Sequence, residues 1–232
     1  MLYTYAILPT PFQFSCPLFG LADQPLQCFR LGQLVAIAEQ GVDISALRQL
    51  PESALLEKVL KHDQIIASLF GDSHLLPMRF GIAFVSESAL YKYLQDNAQH
   101  LSDRLQFVAG KAEYTLELTP RMPMRESISA KDGKSYLLAK KQQYAQQKSW
   151  GDRLQAESCD WQNRLEQYCT HWTIPYQIVS TADLRLKCHL LLTEKQYAEL
   201  SEYVNRSINS DTAGLSHWQW QISLPLPPYH FA

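Results

Sequence analysis

The sequence lacks the local signatures of most catalytic and membrane proteins. It contains no GxGxxG, GxxxxGK[ST] or GxSxG pattern, so the short motifs of dinucleotide-binding, P-loop and α/β-hydrolase sites are absent. None of the five cysteines forms a CxxC pair, and an odd number of scattered thiols is typical of a reducing compartment. No apolar run approaches the ~18 residues that span a bilayer, and the N-terminus has no signal-peptide pattern. We therefore expect a cytoplasmic protein without membrane insertion.

Clustered positive charge, which a nucleic-acid-binding face requires, is also missing. The 232 residues carry a formal charge of -2, with 46% hydrophobic and 19% charged residues. This composition is that of an ordinary globular protein, and we expect no nucleic-acid partner. The pair Lys140–Lys141 is interpreted as part of a solvated helix face.

The first half of the sequence contains patterns of strands and helices. Short β-prone runs are bounded by Pro or Gly, and apolar residues then recur at helical spacing. We predict a strand at Leu2–Leu8, a hairpin centred on Gly32, a helix from a Ser53 cap to Gly71, an extended segment around Pro77, and a helix from a Ser86 cap to Gly110.

The second half reads as β-α-β-β-α-β. Its strands alternate apolar and polar residues, as expected for a sheet with one buried face. The predicted elements are strand 112–119, helix 134–172 with a break near Gly151, strands 174–180 and 184–192, a helix capped by Thr193, and strand 217–224. This order predicts a ferredoxin-like domain. We therefore expect an α+β protein with an N-terminal mixed α/β domain at 1–109 and a ferredoxin-like domain with an extended Pro-rich tail at 110–232.

Candidate metal ligands and acid–base groups do not form a convincing site. Cys169 and His171 are close in sequence, as are Cys188 and His189. Strand alternation should place Cys188 inward and His189 outward, so they would not share a metal. Asp63 and Glu157 lie among polar helical residues and are interpreted as solvated. We expect no metal, no cofactor and no catalytic residue. A hydrolase or transferase would need a nucleophile and base in reach of one another, and no residue marks them.

Arg79 stands alone in the apolar stretch "HLLPMRFGIAF". A buried guanidinium needs a partner, because an unpaired buried charge costs several kcal/mol. One interpretation is a structural charge paired with Glu113 or Glu117; the other is an anion-binding arginine in a cleft. We predict the structural charge. Gly81 beside it predicts a close backbone approach or an unusual φ angle.

The C-terminal stretch "SLPLPPYHFA" is stiffened by its prolines. Tyr229 and Phe231 are two residues apart and should project to one side of an extended chain. The tail is either anchored onto its own protein by these rings or offered to a partner. We expect anchoring, because exposed aromatic residues are a liability on a globular protein.

Taken together, several segments resemble the gas vesicle protein GvpF/GvpL family. They occur in the family's order and cover nearly the whole chain: "YTYAI", "EKVLKHDQIIASL" with His62, "LPMRFG" at Leu76–Gly81, "GKAEYTLEL" at Gly110–Leu118, "GKSYLLAKK" at Gly133–Lys141 and "PPYHF" at Pro227–Phe231. One departure is Ser223-Leu224-Pro225, where the family often has Gly-Pro. The departure leaves open whether the chain is F-like or L-like.

The resemblance implies a non-enzymatic accessory or minor structural protein of gas vesicle assembly. Such a protein would bind the hydrophobic main shell protein, work with other gas vesicle accessory proteins and help nucleate or build the shell. It would be cytoplasmic and associated with gas vesicles. The residues that we single out as structural or interaction residues are Arg79, Phe80, Gly81, Tyr136, Pro228, Tyr229 and Phe231. The alternative is a small-molecule-binding or regulatory ferredoxin-like module.

Overall fold

The computed structural model describes residues 1–121, 133–180, 185–209 and 218–232. The fold is mixed α+β with two sheets, and the chain divides into two compact units. The first unit comprises Met1–Glu113 together with Pro225–Ala232, and the second comprises Tyr114–Leu224. The sequence predicts the tail as part of the second domain. The tail groups with the first unit because Glu113 and Leu226 exchange two backbone hydrogen bonds of 2.9 Å.

The first unit contains five strands and four helices in the described residues. Their bounds are β1 Leu2–Pro9, β2 Gln27–Leu31, β3 Leu34–Gln40, α1 Ile44–Leu47, α2 Glu52–Asp72, β4 Leu76–Pro77, β5 Ala83–Phe84, α3 Glu87–Asp96 and α4 Ala98–Val108.

Strand β1 lies at the centre of the first sheet. The strand order is β2-β3-β1-β4, and β5 also pairs with β1. Residues Leu2–Leu8 are all buried, which explains why this strand is apolar on both faces. The predicted hairpin is confirmed: β2 pairs antiparallel with β3, and Gly32 in the turn has φ +58. A positive φ is a conformation that glycine adopts without a Cβ penalty.

The helices of the first unit confirm one predicted cap and correct two other predictions. Ser86 caps α3 by accepting a 3.1 Å hydrogen bond from the Ala89 backbone N–H. Helix α2 begins one residue before the predicted Ser53 cap, follows Pro51 without a side-chain cap, and continues past Gly71 to Asp72. The predicted single helix after Ser86 is two helices, α3 and α4, separated by Asn97.

The second unit has the element order that the sequence indicated. Its elements are β6 Ala112–Pro120, which starts in the first unit, α5 Gly133–His171, β7 Tyr176–Ser180, β8 Leu186–Leu192, α6 Glu194–Asn209 and β9 Trp218–Ile222. The sheet order is β7-β8-β6-β9, with β7–β8 and β6–β9 antiparallel. Thr193 caps α6, as predicted, by accepting from the Gln196 backbone N–H at 3.3 Å.

The alternation of the strands holds in β6 and fails at particular positions elsewhere. Tyr114, Leu116 and Leu118 are buried in β6, as predicted. In β8 the predicted outward side chain of His189 is buried, so that interpretation is wrong. Leu224, predicted inward, is 82% exposed, because β9 ends at Ile222. Leu184 lies outside the described residues.

Helix α5 is continuous through Gly151, where a break was predicted, and its two halves differ. Burial in the second half follows one stripe: Leu154, Ser158, Trp161, Leu165 and Cys169. Cys169 continues this stripe in place of the predicted Tyr168 and Trp172. Among the described residues of α5, none from Lys134 to Arg153 is buried. Packing therefore holds the second half of the helix and not the first.

None of the helices in the described ranges combines the length and apolar character needed to cross a lipid bilayer.

Two leucines of α5 test this difference between its halves. Leu165→Ala should lower the free energy of unfolding by about 3 kcal/mol, because it leaves a cavity at a fully buried position. The same change at exposed Leu138 should alter it by less than about 0.5 kcal/mol. Urea titration followed by circular dichroism measures both. Equal losses at the two positions would contradict the described packing of α5.

Candidate functional site

In the first unit, several of the family-like segments meet at helix α2. His62 and Asp63, neighbours in α2, bind the loop Leu76–Gly81 and the tail Pro227–Phe231 respectively. We call the loop, the tail and the residues that hold them the loop–tail cluster. The holding residues are Tyr3, His62, Asp63, Arg104 and Glu113.

His62 joins the central strand to the loop through both ring nitrogens. Its Nε2 lies 3.0 Å from the Met78 carbonyl oxygen, and its Nδ1 lies 3.0 Å from the Tyr3 hydroxyl. A carbonyl can only accept, so Nε2 donates to it. In the neutral ring, Nδ1 then accepts a hydrogen bond from the Tyr3 hydroxyl. The Tyr3 oxygen in turn accepts a 3.0 Å hydrogen bond from the Gly81 N–H. This chain of bonds requires the neutral Nε2–H tautomer of His62.

Burial keeps both titratable groups of this chain uncharged. His62 is 1% exposed, and desolvation lowers the pKa of its ring below the ordinary value. Desolvation also raises the pKa of Tyr3 to about 12. Neither group is poised to exchange a proton near neutral pH, so the pair acts as a structural link.

The loop carries three of the predicted site residues. Phe80 packs inward, with its ring centroid 5.5 Å from that of His62 and 6.2 Å from that of Tyr3. Gly81 has φ +89, which confirms the predicted unusual angle. Arg79, by contrast, is exposed, and no side chain in the described parts of the chain pairs with it. The interpretation of Arg79 as a buried structural charge is therefore wrong: the backbone turn at Gly81 and the Phe80 ring hold the loop, and the guanidinium faces solvent.

A second buried polar group, Glu39 on β3, supports the neighbouring strand. Its carboxylate accepts hydrogen bonds from the Tyr5 hydroxyl and from the backbone N–H groups of Leu21 and Ala22. Tyr5 also stacks on His62, with ring centroids 5.3 Å apart. No pattern in the sequence around Glu39 indicates its burial. In the structure the backbone of Gly20 lies against it, and a Cβ there would lie 2.1 Å from the Glu39 carboxyl carbon.

The tail is held on the first unit by side chains and by its backbone. The Tyr229 hydroxyl donates to Asp63 at 3.0 Å, so Asp63 is not merely solvated. The His230 backbone N–H and ring Nδ1 lie 2.8 and 2.6 Å from the two oxygens of Glu113. Arg104 donates to the Phe231 carbonyl. Both predicted rings thus contact the protein itself, while the His230–Glu113 pair was not foreseen.

Burial supports this attachment of the tail. The Phe231 side chain is 5% exposed, and Pro228 is buried. Desolvation, followed by the neighbouring Asp63 charge, raises the pKa of the Tyr229 hydroxyl above its ordinary value. The hydroxyl therefore stays protonated and can donate to Asp63 at any physiological pH.

The remaining candidate residues lie in the second unit. Tyr136 is an exposed residue of α5, with the Lys140 ammonium 5.5 Å from its ring centroid. Cys169 and Cys188 are buried, and desolvation raises the pKa of both thiols, to about 12 for Cys169. Such thiols stay protonated and unreactive. Glu157, predicted to be solvated, accepts from the Trp218 indole at 2.9 Å and pairs with Arg153 at 2.8 Å.

A family model described as gas vesicle synthesis protein GvpL/GvpF matches residues 1–232. The chain belongs to the GvpL/GvpF family. Membership implies a role in gas vesicle assembly and agrees with the resemblance seen in the sequence.

Two crystal structures of GvpF proteins have a similar fold. The protein from Anabaena sp. PCC7120 is 16% identical, with a TM-score of 0.64 over 100% of this chain and 95% of that chain. The protein from Microcystis aeruginosa is 15% identical, with a TM-score of 0.66 over 99% and 98%. At these identities the likeness concerns the fold alone. No curated protein matches the sequence significantly.

The neutral state of His62 in this GvpL/GvpF protein predicts that its free energy of unfolding depends on pH. The pKa of His62 is lower in the folded chain than in the unfolded chain, where it is about 6.5. Below that pH the unfolded chain binds the extra proton, so the free energy of unfolding should decrease as pH falls. Above it, His62 should contribute no pH dependence. Urea titrations between about pH 8 and pH 5 measure the slope.

Two variants test whether His62 causes this dependence of the free energy of unfolding on pH. His62→Gln should flatten it, whereas His74→Gln should leave most of it, because His74 is only half-buried although its pKa is also lowered by burial. An NMR titration of the wild-type His62 ring gives a second readout that requires no variant. A His62 ring that protonates at the ordinary pH, or an unchanged slope in His62→Gln, would contradict the neutral link.

The attachment of the tail can be tested at its buried ring. Phe231→Ala should lower the free energy of unfolding by about 3 kcal/mol, because the ring is removed from a packed site. Phe19→Ala, at an exposed position of the same unit, should change it by less than about 0.5 kcal/mol. Thermal or urea unfolding distinguishes the two. A loss no greater for Phe231→Ala than for Phe19→Ala would mean that the tail is not anchored there.

Proposed function

We propose that this protein is an accessory or minor structural protein of gas vesicle assembly that binds the main shell protein and helps nucleate or build the shell. The observation that carries the proposal is the family match over residues 1–232. A shell subunit with a strongly apolar face would aggregate before incorporation, and a partner that covers this face would prevent aggregation. The protein would accordingly be cytoplasmic, associate with gas vesicles and contact other gas vesicle proteins.

The use of polar groups in the loop–tail cluster supports binding rather than catalysis. His62 has both nitrogens occupied and a lowered pKa, and the hydroxyl of Tyr3 both accepts and donates. Both oxygens of Glu113 contact His230. Groups satisfied in this way hold segments in place, whereas a catalytic base or nucleophile must be free to reach a substrate. We therefore infer that the protein is not an enzyme.

The loop around Arg79 is the surface that we infer to contact the shell protein. The buried Tyr3–His62 link holds the loop from behind, while Arg79 faces solvent. Ile82 and Val85, which follow the loop, are also exposed, Val85 by 74%. An arginine fork beside apolar side chains suits a partner that presents a carboxylate next to an apolar face. Because the loop is held in one conformation, it would lose little entropy on binding.

We also propose that the second unit is a ferredoxin-like domain. In the order β7-β8-β6-β9, strand β8 lies between β6 and β7, so the β6-α5-β7 segment is a split βαβ unit. The boundary between residues 109 and 110 remains a prediction for the two folding units, whereas the C-terminal stretch from Pro225 groups with the first unit. Independent folding of the expressed pieces 1–109 and 110–232 would support the predicted limits.

Capture of the main shell protein tests both the function and the surface. The wild-type chain should capture the shell protein when the two are co-expressed. Arg79→Leu should reduce capture about tenfold without changing stability, since the guanidinium has no described partner to lose. Arg48→Leu, at another exposed arginine of the same unit, is the control and should capture normally.

The possible outcomes separate two claims. Failure of the wild-type chain to capture the shell protein would overturn the proposed function. Normal capture by Arg79→Leu would reject only the contact surface. A large loss of stability in Arg79→Leu would show that the residue has a structural role after all.

A further inference from the structure

The first half of α5 is a helix whose exposed apolar residues have no cover in the described structure. No described residue from Lys134 to Arg153 is buried, and burial begins at Leu154. This segment of about 20 residues is about 30 Å long. Most helices in proteins are stabilised by packing of one apolar face rather than by intrinsic propensity. Its large exposed side chains are Tyr136, Leu137, Leu138 and Tyr144, with Leu137 exposed by 67%.

Contrary to the expectation from the sequence that positive charge is not clustered, the part of this segment up to Gly151 carries several lysines and no acidic residue. Lys134, Lys141 and Lys148 are exposed and lie at seven-residue intervals. Seven residues make nearly two helical turns, with a drift of only about 20°, so the three side chains form one row along the helix. The segment from Gly133 to Gly151 contains no Asp or Glu, although the whole chain carries a formal charge of -2.

Apolar side chains flank the lysine row on both sides. At 3.6 residues per turn, Leu137 and Tyr144 lie along one side of the row and Leu138 and Ala145 along the other. These flanking residues repeat at the same seven-residue interval as the lysines. Helices that pair side by side are matched to one another by charged and apolar residues that repeat every seven residues.

We propose that the first half of α5 is a docking surface for an acidic amphipathic helix of a partner protein. The partner's carboxylates would repeat every seven residues opposite the lysine row, with apolar residues on either side to cover Leu137 and Tyr144. Charge complementarity selects this occupant. The same face of a second copy would be repelled by like charge. Attraction to an anionic membrane would not require the lysines to recur at seven-residue intervals. The proposal is independent of the contact with the shell protein.

A labelled peptide provides a direct probe. One helical peptide of about 20 residues carries Glu at seven-residue intervals with Leu on both sides of the row. A second peptide has the same composition, but its Glu residues are moved to the opposite face. Fluorescence anisotropy with the full chain should show binding of the first peptide at least about tenfold tighter than of the second, and weaker binding as salt is raised.

Variants of the protein locate the contact. Lys141→Glu should weaken binding of the first peptide about tenfold, whereas Lys92→Glu, at an exposed lysine of α3, should not. Leu137→Ser should also weaken it, and Leu56→Ser, at an exposed leucine of α2, should leave it unchanged. Far-ultraviolet circular dichroism verifies that each variant keeps its helix content.

Three results would overturn the proposal. The first is equal binding of the two peptides, which would show that register does not matter. The second is binding to neither peptide together with Lys141-dependent binding to phosphatidylglycerol vesicles, which would identify a membrane surface. The third is concentration-dependent self-association that Leu137→Ser abolishes, which would identify a second copy as the occupant.

Discussion

The buried, neutral side chain of His62 fixes how the central strand, helix α2 and the loop are arranged in the first unit. His62 is in contact with the central strand through Tyr3 and with the loop through the Met78 carbonyl. The Met78 carbonyl requires a donor, so the single proton of the neutral ring is on Nε2. Nδ1 then has only a lone pair, and the Tyr3 hydroxyl donates to it while accepting from Gly81. Only one neutral tautomer satisfies both. The strand, the helix and the loop therefore have one mutual arrangement in which every one of these polar groups is paired, and any other would leave a buried group unsatisfied.

Helix α2 connects the loop and the C-terminal tail because adjacent helical residues point about 100° apart. His62 faces the core, and Asp63, the next residue, faces outward and accepts from Tyr229. Just before the tail, Leu226 exchanges two backbone hydrogen bonds with Glu113 at the end of the first stretch of the unit. The polar groups of this region thus hold the loop and the tail in place.

The two halves of α5 illustrate how one regular helix can have two roles. From Leu154 onward, a stripe of α5 is buried, and Glu157 accepts a hydrogen bond from Trp218 of β9. Before that point, the same backbone carries exposed leucines, tyrosines and a row of lysines. Continuity of the hydrogen-bonded backbone through Gly151 allows the packed half to hold the exposed half in a helical form.

The features that were predicted correctly are those that patterns of neighbouring residues specify. The β6 alternation, the hairpin at Gly32 and the caps at Ser86 and Thr193 depend on neighbouring residues only, and all were predictable. The family-like segments also identified the loop and tail of the candidate site. Tertiary structure alone decided which polar side chains are buried: Arg79 is exposed, while His189 and Glu39 are not. The physical reason is that the burial of one side chain is set by distant segments packed over it, and no local pattern records where those segments lie.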